Sequence, residues 1–276
     1  MTNALRPMTV GELLDRTFFL YRANFGLFLG IAALPNLITL AFQLSRVIIA
    51  PGSAGVMAPG STGVRFALWL LASLLVYLIT LAVCQGATVV AVSQIQLERG
   101  TSVSRAFATI WPRIGELSRI ILGMAVLIGL GFLLIVPGIM LSIRWALTIP
   151  VAVLEERGLG ESLARSSQLT SGHRWRVFLI YFLIIVLVYI GSLLVQGPLM
   201  VALTLVSGPL RAGRLPVMAQ VAIPVAGFLT QSVLSPIMTI ALSLVYYDER
   251  VRKEGFDLEH MMQQMDRTAG TPSPAT

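Results

Sequence analysis

The sequence predicts an all-α polytopic membrane protein, a bundle of six transmembrane helices arranged as three hairpins. Its composition is the first observation: 56% of the 276 residues are hydrophobic, 12% are charged, and the mean hydropathy is +0.82. Soluble domains carry about 25% charged residues. The second observation is a small charged set with a net charge of +7, and the third is a single cysteine, Cys84. Together these exclude a soluble enzyme, a disordered chain and a secreted disulfide scaffold.

Four uncharged segments are long enough to cross a bilayer, whose core of about 30 Å needs about 20 helical residues. They predict spans at about residues 25–45, 66–95, 177–206 and 216–247. A fifth apolar segment, residues 120–154, is too long for one crossing and barely long enough for two. Pro137-Gly138 lies near its middle, where a helix break and a turn are favoured. We predict spans at 120–136 and 138–154, with a re-entrant hairpin and one long tilted helix as the alternatives.

The basic residues predict how the chain is threaded. With two crossings in residues 120–154, 15 of the 20 basic residues and all 13 acidic residues fall on the side that holds both termini. Basic loops are retained in the cytoplasm. We therefore expect the inner (plasma) membrane, with cytoplasmic N- and C-termini. A re-entrant hairpin would give the same count, whereas a single crossing there would move eight basic residues outside. Four basic residues are expected on the opposite side: Arg46, Arg65, Arg211 and Arg214.

Each pair of spans is preceded by a charged segment with apolar residues at helical spacing. In the first segment, Thr9 and Glu12 have the spacing of a capping box. They introduce an apolar stripe of Val10, Leu13, Leu14, Thr17, Phe18 and Tyr21. Residues 103–114 and 161–176 hold the other two segments. We predict three cytoplasmic amphipathic helices that anchor the bundle among lipid headgroups. The residues expected to face lipid are Arg16, Arg22, Arg165, Arg174, Trp175 and Arg176.

The last span is followed by charged residues at i,i+4 spacing, which predicts that its helix continues for about two turns. The pairs are Asp248 with Arg252, Glu249 with Lys253, and Arg250 with Glu254. We expect Gly255 to end this helix and Asp257 to cap a short one after it. Residues 1–266 are therefore predicted to form one membrane domain. Residues 267–276, rich in small residues and proline, are predicted to be a disordered tail.

Arg144 is the one charged residue predicted inside a span. A charge there is costly, so Arg144 is a candidate for function. It lies about 9 Å along the helix from Gly138. One interpretation is structural, with the side chain snorkelling to the outer surface or bonding helix carbonyls or polar groups. The expected polar partners are Gln85, Thr88, Gln196 and Gln231. The other interpretation is that Arg144 binds the phosphate of a lipid or a substrate.

Three segments place charged residues at fixed positions in this apolar chain. They are LRPMTVGELLDRTFFLYRANF, IVPGIMLSIRWALTIPVAVLEERGLGESLARSSQLTSGHRWRVF and LVYYDERVRKEGFDLE. Together they resemble the glycerophosphoryl diester phosphodiesterase membrane domain family. The resemblance implies a membrane location and an architecture. It does not imply hydrolase activity, because the cytoplasmic segments are expected to be too short for a soluble phosphodiesterase domain. It carries no catalytic residues to this sequence.

The sequence lacks the common motifs of catalysis: HExxH, GxSxG, GxGxxG and a Walker loop. We interpret Glu155-Glu156 as two solvated acids at the end of a helix. We expect a non-enzymatic protein with no cofactor or metal, either a scaffold or a lipid-interacting module that partners a separate soluble enzyme. Its arginines flank spans, which favours anionic membrane lipids over nucleic acid as ligands. The alternative is a transporter or permease subunit for a small or lipid-like substrate, which repeated hairpins and broken helices would suit.

Overall fold

The computed structural model describes residues 8–49, 62–207 and 217–269, and their regular structure is entirely helical. A 3-10 turn, Trp111–Arg113, joins the fourth helix to the fifth. In chain order the helices are α1 (Val10–Ala23), α2 (Phe25–Ile49), α3 (Thr62–Gln96), α4 (Val103–Ile110), α5 (Ile114–Phe132), α6 (Val136–Arg144), α7 (Thr148–Leu154), α8 (Leu159–Thr170), α9 (Arg174–Ser207) and α10 (Val217–Ala269).

Six helical segments in the described residues are long and apolar enough to cross a membrane. They are Phe25–Ser45, Ala67–Gln96, Val103–Phe132, Val136–Leu154, Arg174–Leu203 and Met218–Glu254. Four of them correspond to the four uncharged spans of the sequence. The third begins well before residue 120, because α4, the 3-10 turn and α5 follow one another without a loop. The fourth combines α6 and α7 across a break.

The turn within residues 120–154 lies earlier than expected. The chain reverses at residues 133–135, between α5 and α6, so this segment is not one long helix. Pro137 lies in the first turn of α6, where its missing N–H leaves no hydrogen bond unmade. Gly138 is required for packing rather than for the turn. A Cβ at Gly138 would lie 2.7 Å from the backbone nitrogen of Phe132 and 2.8 Å from its Cα.

The chain returns from this reversal as two short helices, because Pro150 interrupts a continuous one. Pro150 lies in the first turn of α7, and in a continuous helix its ring would clash with the carbonyl of Ala146. The chain is therefore non-helical just before α7. The whole first part of α7 is buried, from Thr148 to Ala152. An interrupted backbone is thus placed inside the protein, where its polar groups need partners.

The central helix of the bundle is α10. It contacts α1, α2, α3 and α9, and its apolar window is 56% buried, against 17% for that of α9. Ile240, Leu244 and Tyr246 of α10 belong to one core cluster, together with residues of α1, α3 and α7. The outer helices α5 and α9 leave most of their apolar surface uncovered by the chain. This is the pattern expected of helices that face lipid.

The start of α1 agrees with the sequence, but its apolar stripe packs on protein rather than on lipid. Thr9 and Glu12 form the expected capping box. Leu13 and Tyr21 are buried, and the Tyr21 hydroxyl donates a hydrogen bond of 2.6 Å to the carbonyl of Val233 in α10. Apolar periodicity identifies a buried face without saying what buries it. Here the bundle itself covers the stripe.

The end of α10 corrects the prediction for the tail. The helix runs through Gly255 to Ala269, so Gly255 does not end it and Asp257 does not start a separate helix. A glycine inside a helix costs about 1 kcal/mol relative to alanine, which surrounding helix formers can offset. Residues 267–269 of the expected disordered tail belong to α10. The rest of that tail lies outside the described residues, as do Arg211 and Arg214.

Candidate functional site

Side-chain hydroxyl groups of α8 form hydrogen bonds to the backbone at the break between α6 and α7. Ser166 Oγ donates a 3.0 Å hydrogen bond to the Arg144 carbonyl and accepts one of 3.2 Å from the Leu147 N–H. Thr170 Oγ1 lies 3.3 Å from the same carbonyl. Because an unpaired backbone group costs several kcal/mol away from water, these bonds allow the break to be buried. The signal in the sequence is a set of small hydroxyl residues at i, i+4 and i+8, namely Ser162, Ser166 and Thr170, which the apolar pattern does not reveal.

The same helix positions Arg144, the last residue of α6. Arg144 Nε donates a hydrogen bond of 2.9 Å to Ser167 Oγ in α8, and its side chain is exposed. Among the described residues, Ser167 is therefore the hydrogen-bond partner of the Arg144 side chain. The expected partners Gln85, Thr88, Gln196 and Gln231 do not bond to it. The interpretation that Arg144 snorkels to the outer surface stays a prediction. Because α6 contacts α8 and the start of α9, Arg144 lies beside segments that the sequence predicts to be cytoplasmic, which disfavours it.

A groove runs between α6 and the first turns of α9, with a volume of about 560 Å³. We call it the α6–α9 groove. It is lined by Arg144, the candidate for function, and by Arg174 and Trp175, two of the residues predicted to face lipid. Trp175 is 74% exposed, and its ring is tilted by 34° to that of Phe178, with the two centroids 5.1 Å apart. The remaining walls are apolar: Pro137, Ile139, Met140, Leu141, Ile143 and Phe178.

The described residues supply no carboxylate partner for the two arginines of this groove. Within the described part of the chain, no carboxylate pairs with Arg144 or Arg174. Cations beside an apolar wall attract a ligand that is anionic at one end and apolar at the other. Arg16 is half-buried and Arg22 is exposed, both on α1 and away from the groove. Their predicted lipid contacts stay predictions.

Arg176 differs from its prediction, because it faces carboxylates rather than lipid. Its Nη1 lies 2.7 Å from both Asp248 Oδ2 and Glu249 Oε1, whose side chains are fully buried. Arg252 lies 2.8 Å from Asp248. The backbone of Met8 completes the group, since its N–H donates to Asp248 and its carbonyl accepts from both arginines. We call these residues the Asp248–Glu249 cluster. It ties α9 and the chain before α1 to α10.

The tail pairs expected along α10 are present in part. Asp248 with Arg252 and Arg250 with Glu254 are ion pairs of 2.8 and 2.6 Å. Glu249 does not pair with Lys253, because tertiary packing presents Arg176 to it instead.

Glu249 and Lys253, the expected pair that does not form, each contact residues outside α10 instead. The Oε2 of Glu249 lies 3.2 Å from His173 Nδ1. Lys253 donates a hydrogen bond to the carbonyl of Gln168 in α8. Spacing along a helix therefore identified two pairs of three.

Arg165 likewise faces carboxylates and not lipid. It lies 3.2 Å from Glu155 and 2.5 Å from Glu254. Glu155 has two further partners: Arg157 lies 2.8 Å from it, and the Tyr246 hydroxyl donates a hydrogen bond of 3.0 Å to it. Burial lowers the pKa of Arg165, but its bonds to the two carboxylates outweigh burial and raise that pKa above its ordinary value. Glu155 is thus not a solvated acid. Its neighbour Glu156 is the exposed one, with 78% of its side chain accessible.

The arginine–carboxylate pairs join α8 and the α7–α8 connection to α10, and they contain no site suited to a metal. Within the described residues, no three His, Cys, Asp or Glu side chains are grouped to hold an ion. The arrangement fixes the helices relative to one another. At the α6–α9 groove, by contrast, Arg144 and Arg174 have no carboxylate partner within the described ranges.

A family model described as the membrane domain of glycerophosphoryl diester phosphodiesterase matches residues 114–270, more than half of the chain. The chain belongs to this family. No curated protein matches it, and no solved structure does. The matched residues of this membrane domain include α5 to α10, and hence the α6–α9 groove and the Asp248–Glu249 cluster except for Met8. The match is to the family's membrane domain and not to a catalytic domain.

Proposed function

We propose that this membrane domain is a non-enzymatic, lipid-interacting module whose α6–α9 groove holds one anionic phospholipid. The supporting observation is that Arg144 and Arg174, which pair with no carboxylate among the described residues, line a groove with apolar walls. The planar guanidinium matches the oxygens of a phosphate, and it can donate two parallel hydrogen bonds to them. In this arrangement the phosphate lies at the arginines, Trp175 lies at headgroup depth, and an acyl chain follows α6.

The architecture we propose is three hairpins in the inner membrane, each preceded by a cytoplasmic amphipathic segment, with both termini cytoplasmic. Consecutive helices support this, since α2 contacts α3, α5 contacts α6, and α9 contacts α10. The basic residues supply the orientation. Any chemistry would then come from a separate soluble enzyme that works beside the lipid-binding module, and the module would act as its membrane scaffold.

The alternative function, a transporter or permease subunit, has one observation in its favour. A second cavity of about 620 Å³ lies between α2, α3 and α10. Its lining is uncharged and includes Gln43, Trp69 and Gln220. A cavity of this size and polarity suits a neutral amphiphile. We favour the lipid-binding module because the α6–α9 groove adds positive charge, which selects a ligand class.

Native mass spectrometry of the protein extracted with its lipids tests the proposal. We expect the double variant Arg144→Gln/Arg174→Gln to lose a co-purifying anionic phospholipid. If each arginine contributes about 1 kcal/mol, affinity falls by about 30-fold. The control Arg99→Gln/Arg119→Gln removes the same charge from exposed positions outside the groove and should retain the lipid. Equal lipid content in the two double variants would overturn the proposal.

A further inference from the structure

The reversal between α5 and α6 has the composition of a lipid-exposed segment. From Ile120 to Leu141 the chain holds no charged or polar side chain. At the reversal, Leu133, Leu134, Ile135 and Val136 are 79%, 73%, 66% and 64% exposed. By contrast, the two other segments expected to join spans on the opposite side, residues 46–65 and 208–216, carry two arginines each. Four consecutive exposed apolar residues are costly in water and suited to hydrocarbon.

The lengths of the helices place this reversal inside the membrane. The Arg144 carbonyl at the end of α6 lies 3.3 Å from Thr170 Oγ1, and Thr170 comes four residues before α9 begins at Arg174, so the end of α6 lies near the start of α9. From there α6, with nine residues, extends about 13 Å, whereas α9, with 34 residues, extends about 51 Å. A bilayer core is about 30 Å thick. Measured along α6, the reversal reaches about the middle of the core, while α9 crosses it.

Both ends of this segment lie on the same side of the bundle. Arg113, just before α5, lies 3.7 Å from Glu156, just after α7. Gly158 approaches the Glu116 carboxylate, such that a Cβ at Gly158 would lie 3.7 Å from it. The chain thus returns to the level at which it started.

The backbone of the reversal satisfies its own donors, which hydrocarbon requires. The N–H groups of residues 133, 134 and 135 each donate to the carbonyl three residues earlier, and that of Val136 donates to Leu134. Pro137 follows and has no N–H. Close packing shields the turn further, since a Cβ at Gly131 would lie 3.0 Å from Gly138 Cα. No N–H from residue 133 to residue 137 is left for water.

We propose that residues 120–143 form a re-entrant hairpin, which enters and leaves through the cytoplasmic face and turns inside the hydrocarbon. The chain then crosses the bilayer four times, with α2, α3, α9 and α10. It follows that the α6–α9 groove spans a single leaflet and takes a phospholipid of the cytoplasmic leaflet, a consequence that rests on the proposed function.

The depth of a nitroxide label in the bilayer tests the hairpin, because this depth does not depend on which way the protein is inserted in a vesicle. Cys84 is the only cysteine, so a Cys84→Ala background allows single labels. We compare Leu134→Cys at the reversal with Leu187→Cys and Met200→Cys in α9, all at exposed positions. Leu187 lies about 20 Å along α9 from Arg174 and Met200 about 39 Å, so they mark the middle and the far end. Ser171→Cys marks the near surface.

A re-entrant hairpin predicts that the label at residue 134 is accessible to oxygen and shielded from an aqueous nickel complex, within about 5 Å of the depth at residue 187. A label at residue 134 that the nickel complex reaches as readily as at residue 200 would overturn the hairpin. Retained melting temperature and elution volume in detergent confirm that each labelled variant is folded.

The leaflet is tested separately with asymmetric vesicles that hold a photoactivatable phosphatidylglycerol in one leaflet. We expect cross-linking to depend on Arg144 and Arg174 only when the probe is in the leaflet facing α8. Equal dependence from both leaflets would overturn the leaflet assignment. If the label at residue 134 lies at the expected depth but the double arginine variant still retains its lipid, the proposed function is wrong and the re-entrant hairpin is still supported.

Discussion

At the scale of single residues, the charges of this protein divide into those that hold helices together and those that stay available to a ligand. The side chains of Asp248 and Glu249 are fully buried, and Arg176 Nη1 lies 2.7 Å from both. Burying two carboxylates is costly, and their attraction to an arginine repays that cost only with close geometry. Arg144 and Arg174 have no such partner among the described residues, and they line a groove instead.

Replacing Arg176 with glutamine should leave two buried carboxylates without their shared cation. We expect the free energy of unfolding to fall by about 3–5 kcal/mol, the cost typical of breaking a buried ion pair from one side. Unfolding in mixed micelles with increasing SDS measures it. Arg22→Gln removes an exposed arginine of α1 and should change stability by about 0.5 kcal/mol or less. Similar unfolding curves for both variants would show that the Asp248–Glu249 cluster does not stabilise the fold.

At the scale of elements, the short helices α6 and α7 are positioned by the residues that interrupt the chain between them and by the hydroxyl groups of α8 that bond to the interrupted backbone. Pro150 interrupts the path from α6 to α7, and the hydroxyls of Ser166 and Thr170 satisfy the backbone groups that the interruption exposes. At the other end of α6, Gly138 allows the two arms of the reversal to touch. The position of Arg144 is a consequence of both features, since it is the residue at which α6 ends.

A pair of glycine variants tests the close approach of α5 and α6. Gly138→Ala would place a Cβ less than 3 Å from the backbone of Phe132, which cannot shift cheaply, so we expect a loss of about 1–3 kcal/mol in unfolding free energy. Gly129→Ala in the same hairpin has open space around it and should be neutral or stabilising by up to about 1 kcal/mol. Thermal unfolding in detergent compares them. A less stable Gly129→Ala would contradict this packing.

At the scale of the whole molecule, threading and packing are set by different groups of residues. The excess of basic residues on the side of both termini determines the expected orientation, whether residues 120–154 cross twice or form a re-entrant hairpin. The packing is centred on α10, whose charged turn from Tyr246 to Glu254 binds α8, α9 and the chain before α1.

Reporter fusions at the two ends test the threading of the whole chain. We expect a reporter that is active only in the cytoplasm to be active at both ends, because 15 of the 20 basic residues accompany the termini. A reporter that needs export, fused at the same sites, should be inactive and serves as the reciprocal control. A C-terminus on the opposite side from the N-terminus would require an odd number of crossings and would contradict the prediction that both termini are cytoplasmic.

The sequence by itself determined the class of protein, four uncharged spans, the capping box at Thr9 and two ion pairs of α10. These depend on local composition and on spacing along one helix, which do not change with tertiary packing. Only the tertiary structure decided that Arg165 and Arg176 face carboxylates, that Glu155 is paired, and that Arg144 meets Arg174 and Trp175. Those partners lie on helices far apart in the chain, and a helical pattern shows which face is buried without identifying its neighbour. The distribution of the 20 basic residues therefore predicted the orientation, whereas packing decided which arginines pair with carboxylates and which line the α6–α9 groove.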